Sequence, residues 1–210
     1  VADAVCAIFR IEIDRDSGLA DKLRGKYPDS AENFCAGLDI YPGSEAPVIG
    51  PDGGLALLKW GFPLAGSKRL VFNARSETAD KKELFRACCG SRCAVPFTAF
   101  YEWGGARGSG NGKKQKYIIR PQDDGIYYMA AFYAPFVTCG KRSYRFVILT
   151  QPSYGDMARI HPRVPVILAS GPEGWVSRPG AAPLAPRSLG CALSVAEAGG
   201  PADCGPDGEE

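Results

Sequence analysis

The chain contains one histidine, His161 in ARIHPRVPVIL, so any imidazole acid–base step has a single candidate. That segment carries the ring from a turn straight into an apolar strand, which holds a side chain firmly. A second candidate is Glu102 in FYEW (100–103). If the stretch is a strand, Phe100 and Glu102 share one face while Tyr101 and Trp103 share the other. A carboxyl among rings is desolvated, which raises its pKa and suits it to proton transfer near neutral pH. Asn73 and Glu77 flank Arg75 in NARSET, where a strand ends and polar side chains can converge. The alternative there is a capped turn in which Arg75 pairs with Glu77. Cys6 opens the first apolar run, where a thiol can meet these groups, although most of the eight cysteines are expected to be small core residues.

Cys88, Cys89 and Cys93 raise the question of zinc. No second CxxC accompanies them and His161 is far along the chain, so neither a metal nor another cofactor is expected.

The elements that must position these residues are mostly strands. CAIFRIEI (6–13) reads as a strand and 16–28 as a short helix stopped before Pro28. Residues 34–50 read as strand, Pro-Gly turn and strand, and GGLALLKWGF adds another after a Gly-Gly turn. RLVFNARSET leads from a strand into a helix capped by Thr78. The aromatic and β-branched runs 94–103, 116–121, 126–136 and 143–152 are strands, with 105–115 a flexible loop between the first two. A short helix carrying Trp175 and a last strand at CALSVAEA follow. Strands without regular βαβ alternation predict an α+β fold: a mainly antiparallel sheet, bent like a barrel or sandwich, with a few short helices.

A chain of 210 residues with 45% hydrophobic content supports one well-buried core, so 1–198 are expected to be one domain and 199–210 an acidic, frayed tail. Twenty-five basic against 23 acidic residues give no overall polyanion-binding charge, which leaves that task to local patches. No apolar run is long enough to span a bilayer, and eight cysteines without a secretion signal point to reduced thiols in a cytoplasm.

Taken in order, Cys6, WGF (60–62), NARSET (73–78), FYEW (100–103), FVILT (146–150) and IHPRVPVIL (160–168) resemble the SRAP family, the SOS response-associated peptidase-like proteins, over most of the chain. The YPG turn at 41–43 is similar too. The resemblance implies binding of single-stranded DNA and covalent capture of abasic sites by a cysteine with a free α-amine, which closes a thiazolidine on the sugar aldehyde. It makes Cys6 the nucleophile, Asn73 a positioning group, and Glu102 and His161 the proton carriers. Arg75 and Arg163 would clamp phosphates, while Trp60, Phe62 and Pro42 would give bases an apolar surface. Lys113, Lys114 and Lys116 extend the basic track or belong to a solvated loop.

The implied partner is abasic single-stranded DNA, with no membrane, in a monomeric cytoplasmic protein of bacterial or phage-derived, nucleoid-associated character. A free amine on Cys6 requires cleavage after Val5 or a different true start. Two other readings stand beside this one: a cysteine peptidase with His161 activating Cys6, and a single-strand DNA-binding module without chemistry.

Overall fold

The computed structural model describes residues 6–104, 114–123, 125–138, 140–168, 170–177 and 192–198. The predicted loop at 105–115 therefore lies outside the described residues up to Lys113, as do Cys139, Cys191, Cys204 and the tail from 199.

The chain opens with β1 (Ile8–Ile11), then α1 (Gly18–Lys26) and α2 (Pro28–Ala36). Ser17 caps α1, its Oγ accepting from the Ala20 N–H at 3.3 Å, and Pro28 ends that helix and starts the next. The expected strand from residue 34 is thus the last turn of α2. There Phe34 and Cys35 face the core, and Gly37, at φ 89°, lets the chain leave the helix.

β2 (Leu38–Ile40), β3 (Glu45–Ile49) and β4 (Leu55–Trp60) follow the predicted turns. Next come β5 (Phe62–Pro63), β6 (Leu70–Val71), β7 (Asn73–Arg75) and a 3₁₀ turn at Ala79–Lys81 leading into α3 (Glu83–Arg86). The aromatic runs form β8 (Arg92–Phe97), β9 (Ala99–Gly104), β10 (Gln115–Pro121), β11 (Tyr127–Thr138) and β12 (Lys141–Pro152). The chain then forms α4 (Met157–Ile160), β13 (Arg163–Pro165), β14 (Ile167–Leu168), α5 (Glu173–Val176) and β15 (Leu193–Glu197).

Five of these strands close a barrel in the order β12, β4, β3, β8, β11 and back to β12, with β7, β13 and β14 added at its margins. Pairing is antiparallel except where β12 runs parallel to β4 and to β7. A second antiparallel sheet, ordered β15, β10, β9, β1, β2, packs beside it. The architecture is α+β and mainly antiparallel, as expected.

The sequence run 94–103 is not one strand: it breaks at Thr98, so β8 belongs to the barrel and β9 to the second sheet. The Thr98 N–H and hydroxyl both donate to the Arg10 carbonyl, at 2.9 and 3.3 Å, and tie the corner to β1. Trp60 of the barrel, fully buried, meets Phe9 of the second sheet edge-on at 4.9 Å and stacks parallel to Phe146 at 6.3 Å. This aromatic layer locks the two sheets together.

Candidate functional site

Cys6 lies two residues before β1, separated from it by Ala7, in left-handed backbone (φ 46°), a conformation that costs a non-glycine residue energy. Its N–H donates to Glu102 Oε1 at 2.6 Å, and its thiol lies 3.9 Å from the Ile8 carbonyl oxygen. The register sets this up: β1 pairs antiparallel with β9, Ile8 opposite Tyr101, so the residues before β1 run toward Glu102.

The predicted alternation is observed. Phe100 and Glu102 are buried, at 0% and 1% exposure, while on the other face Tyr101 is also buried and Trp103 half-buried. Burial pushes the Glu102 carboxyl up to about 8, against the opposing pull of the Cys6 and Trp103 N–H groups and the Lys114 charge. At neutral pH it mostly carries a proton. Burial and the nearby Glu102 push the Cys6 thiol well above its ordinary value, so it is held neutral.

His161 is the residue at which α4 ends, in extended backbone leading to β13. Its Nδ1 lies 3.2 Å from the Arg163 nitrogen and 3.1 Å from the Arg163 carbonyl oxygen, which fixes the ring. Nε2 is buried and has no hydrogen-bond partner among the described residues. Arg163 is itself immobilised. Its Nη1 and Nη2 donate to the two Glu77 oxygens at 2.5 and 2.9 Å, its Nε to Thr150 Oγ1 at 3.2 Å, and Nη2 also to the Thr150 carbonyl at 2.7 Å. The guanidinium holds the Glu77 carboxyl below the usual carboxylate range.

Thr150 is also where β7 arrives. In parallel register Asn73 faces Ile148 and Arg75 faces Thr150, and the Ser76 N–H donates to the Thr150 carbonyl at 2.9 Å. Asn73, Arg75, Glu77 and Arg163 are thereby gathered around one stretch of β12.

The half of the site on the second sheet and the half on the barrel meet at Gly104, two residues after Glu102. A Cβ there would lie 2.4 Å from the Ile160 carbonyl oxygen and 2.8 Å from Ile160 Cγ2. Only a glycine lets the end of β9 pack this tightly against the last residue of α4, which immediately precedes His161. Neither Gly104 nor Thr150 was singled out from sequence, although Gly104 directly follows FYEW.

Several expectations change. Arg75 does not pair with Glu77: Arg163 takes that carboxylate, and Arg75 is exposed. Trp60 and Phe62 offer no ring to a base, because both are 0% exposed. Trp60 donates its indole N–H to the Phe72 carbonyl at 2.8 Å, and Phe62 packs on Phe136 at 4.8 Å. WGF is core by virtue of its rings. Pro42 is half-buried in the turn before β3. Lys116 places its Nζ 4.4 Å over the Tyr101 ring and 5.6 Å from that of Trp103, on the strand face opposite Glu102. Lys113 lies outside the described residues.

A polar cavity of about 640 Å³ opens beyond the opposite end of β1, lined by Arg10, Glu12, Asp14, Arg120 and Asp123 among others. Arg10 is already bound to Asp39 and Glu12 there, and none of the gathered residues lines it. Among the described residues no group of three or more His, Cys, Asp or Glu side chains has metal-holding geometry, and no helix is long and apolar enough to cross a membrane.

The chain is 28% identical over 155 residues to an abasic site processing protein of Saccharomyces cerevisiae, covering 70% of this chain and 40% of that protein. It is 30% identical over 145 residues to abasic site processing protein YoaM of Bacillus subtilis, covering 64% of this chain and 63% of YoaM. The matched stretch thus spans less than two thirds of these relatives' own lengths. A solved structure of a Bacteroides thetaiotaomicron protein superposes with a TM-score of 0.69 at 21% identity, over 90% of this chain and 91% of that one, which shows a shared fold. The family described as SOS response associated peptidase (SRAP) matches residues 5–181, and the chain belongs to that family.

Proposed function

We propose that this protein captures abasic sites in single-stranded DNA, with Cys6 closing a thiazolidine on the sugar aldehyde. The observation that carries the reading is the 2.6 Å contact between the Cys6 nitrogen and the buried Glu102 carboxyl. In a form that begins at Cys6, this nitrogen is an amine. It adds to the aldehyde carbon, and the resulting carbinolamine loses water as Glu102 supplies a proton to the departing hydroxyl, giving a Schiff base. The thiol then adds across the C=N bond, its proton passing to nitrogen, and the ring closes. The net change is loss of one water.

Glu102 and His161 carry the protons in this scheme and Asn73 positions the reacting groups. Arg75, exposed, meets a phosphate directly. Arg163 joins it only by releasing Glu77. Pro42 supplies apolar contact to the strand, whereas Trp60 and Phe62 act through the core. The names of the matched relatives, abasic site processing proteins, support the substrate class.

The same contact favours a second, preparatory activity: self-cleavage between Val5 and Cys6. The Cys6 nitrogen is the leaving atom of that peptide bond. Attack of the thiol on the Val5 carbonyl carbon yields a thioester as the nitrogen takes the Glu102 proton and the thiol proton replaces it on Glu102, and water hydrolyses the thioester to a Val5 carboxylate and the free thiol. The left-handed backbone at Cys6 adds ground-state strain to that bond's immediate surroundings.

The test is intact-mass measurement of the protein alone and after exposure to abasic single-stranded DNA. The expected species begins at Cys6 and gains the oligonucleotide mass less one water. Absence of an adduct from protein shown to begin at Cys6 would sink the reading.

A further inference from the structure

The β11–β12 hairpin extends beyond the barrel that it helps to close. From Phe146 to Leu149, β12 is fully buried, whereas Lys141 and Arg142 are exposed and, among the described residues, have β11 as their only strand neighbour. Val137 is 71% exposed and Tyr144 43%. A two-stranded ribbon of this kind contributes little stability by itself.

Its charge is one-sided. From Tyr127 to Pro152 the sequence contains Lys141, Arg142 and Arg145 and no aspartate or glutamate. Arg10, Arg15, Arg24 and Arg163 each sit against a carboxylate, yet none of Lys141, Arg142 and Arg145 forms an ion pair among the described residues. The Arg142 guanidinium lies 5.4 Å from the centre of the Tyr144 ring, and the Tyr133 ring backs Tyr144 at 6.3 Å. Unpaired cations beside a half-exposed, braced aromatic ring form the combination that holds an unpaired nucleotide strand: charge for the phosphates, a ring face for a base.

The ribbon and the site lie on one strand. Six residues beyond Tyr144, about 20 Å at strand rise, β12 reaches Thr150, which pairs with Arg75. We propose that the outer part of this hairpin, Lys141, Arg142 and Tyr144, binds the single-stranded flank of a DNA whose lesion occupies the site. The assignment rests on the single-strand reading of that site.

The experiment compares binding of a short abasic oligonucleotide, limited to the lesion and its nearest neighbours, with longer ones extended to either side. Wild-type affinity is expected to rise on extension to one side. Lys141→Ala with Arg142→Ala should abolish that gain and lower the salt dependence by about two phosphate contacts. Tyr144→Ala should weaken binding of the extended strand on the order of tenfold, with Tyr144→Phe close to wild type. Unchanged melting temperatures establish that the variants fold.

Binding of the short oligonucleotide and its adduct yield at saturation should be the same in all variants. Extended-strand affinity that is unaltered in these variants overturns the proposal, as does an equal gain from a base-paired extension. Failure of the site reading looks different: the wild type then forms no adduct, whatever the hairpin binds.

Discussion

The Cys6 nitrogen and Glu102 Oε1 lie 2.6 Å apart although 96 residues separate them in sequence. This places a buried acid on the backbone nitrogen that the proposed capture chemistry uses. While Val5 remains attached, that nitrogen is an amide whose lone pair is delocalised, and it cannot form a Schiff base. The thiol alone gives a readily reversible hemithioacetal.

The form beginning at Cys6 is therefore expected to crosslink abasic single-stranded DNA stably, whereas the form retaining residues 1–5 binds it without a lasting bond. Denaturing gels after heating, with the N-terminus of each form verified by mass, separate the two. Heat-resistant crosslinking by the extended form would assign the chemistry to another residue.

Glu102→Gln probes the buried acid through both stability and rate. The folded-state value, about 8, lies above the ordinary carboxylate range. Its stabilising protonated state is thus fully present below that range and lost as pH rises through about 8, a cost on the order of a few kcal/mol. The glutamine variant should match wild type in melting temperature only below the ordinary carboxylate range, exceed it increasingly as pH rises, and show the full difference above about pH 8. Crosslinking by wild type should decline through the same interval, because dehydration needs the protonated acid, while the variant is slow throughout. A variant that reacts at the wild-type rate removes Glu102 from the chemistry.

The alternation that put Glu102 on a buried face was legible because a strand has a strict period of two, and FYEW gives it four consecutive side chains to act on. His161 was legible as the only imidazole. The helix Pro28–Ala36 was not, because Phe34 is the only large apolar side chain in PDSAENFCA, too little to show a helical period, and its Pro28 reads equally as a stop for the preceding helix. Nor was the partner of Glu77: Arg75 is near it in sequence, but Arg163, 86 residues away, is brought to it by the pairing of β12 with both β7 and β13. Trp60 and Phe62 were misread because an aromatic pair near a site has the same composition whether it faces a base or a core.

Trp60 consequently belongs to stability. Trp60→Ala removes the ring that contacts Phe9, Phe72 and Phe146 and should cost about 3–5 kcal/mol in denaturant unfolding. Where the variant remains folded, its affinity for single-stranded DNA should stay near that of wild type. A selective loss of affinity with stability intact would restore the ring to the DNA surface.

Gly104→Ala tests whether the packing of β9 on α4 sets the reacting geometry. The added methyl meets a backbone carbonyl, which cannot swing aside as a side-chain tip can, so the end of α4, which adjoins His161, must move away from β9. A displacement near 1 Å is expected to slow crosslinking by ~100-fold, with single-strand affinity changed little. The split between rate and affinity distinguishes this from a general loss of folding, which would lower both.

Glu77→Gln addresses the Arg163 fork. With Glu77 in place, a DNA phosphate that approaches Arg163 must displace a carboxylate already seated on both terminal nitrogens. Glu77 is 43% exposed at its side chain, so solvent screens the pair and the competition is worth at most about fivefold in affinity. The glutamine variant should bind single-stranded DNA more tightly by up to that factor at low salt, with the difference shrinking as salt rises. Because the pair depresses the Glu77 pKa, its stabilising contribution is present above the ordinary carboxylate range and disappears as pH falls through the folded value. Wild-type affinity should therefore approach that of the variant on acidification. If Glu77→Gln instead weakens binding and lowers the melting temperature, the carboxylate is a brace that holds Arg163 and His161 in place, and the phosphate contact falls to Arg75 alone.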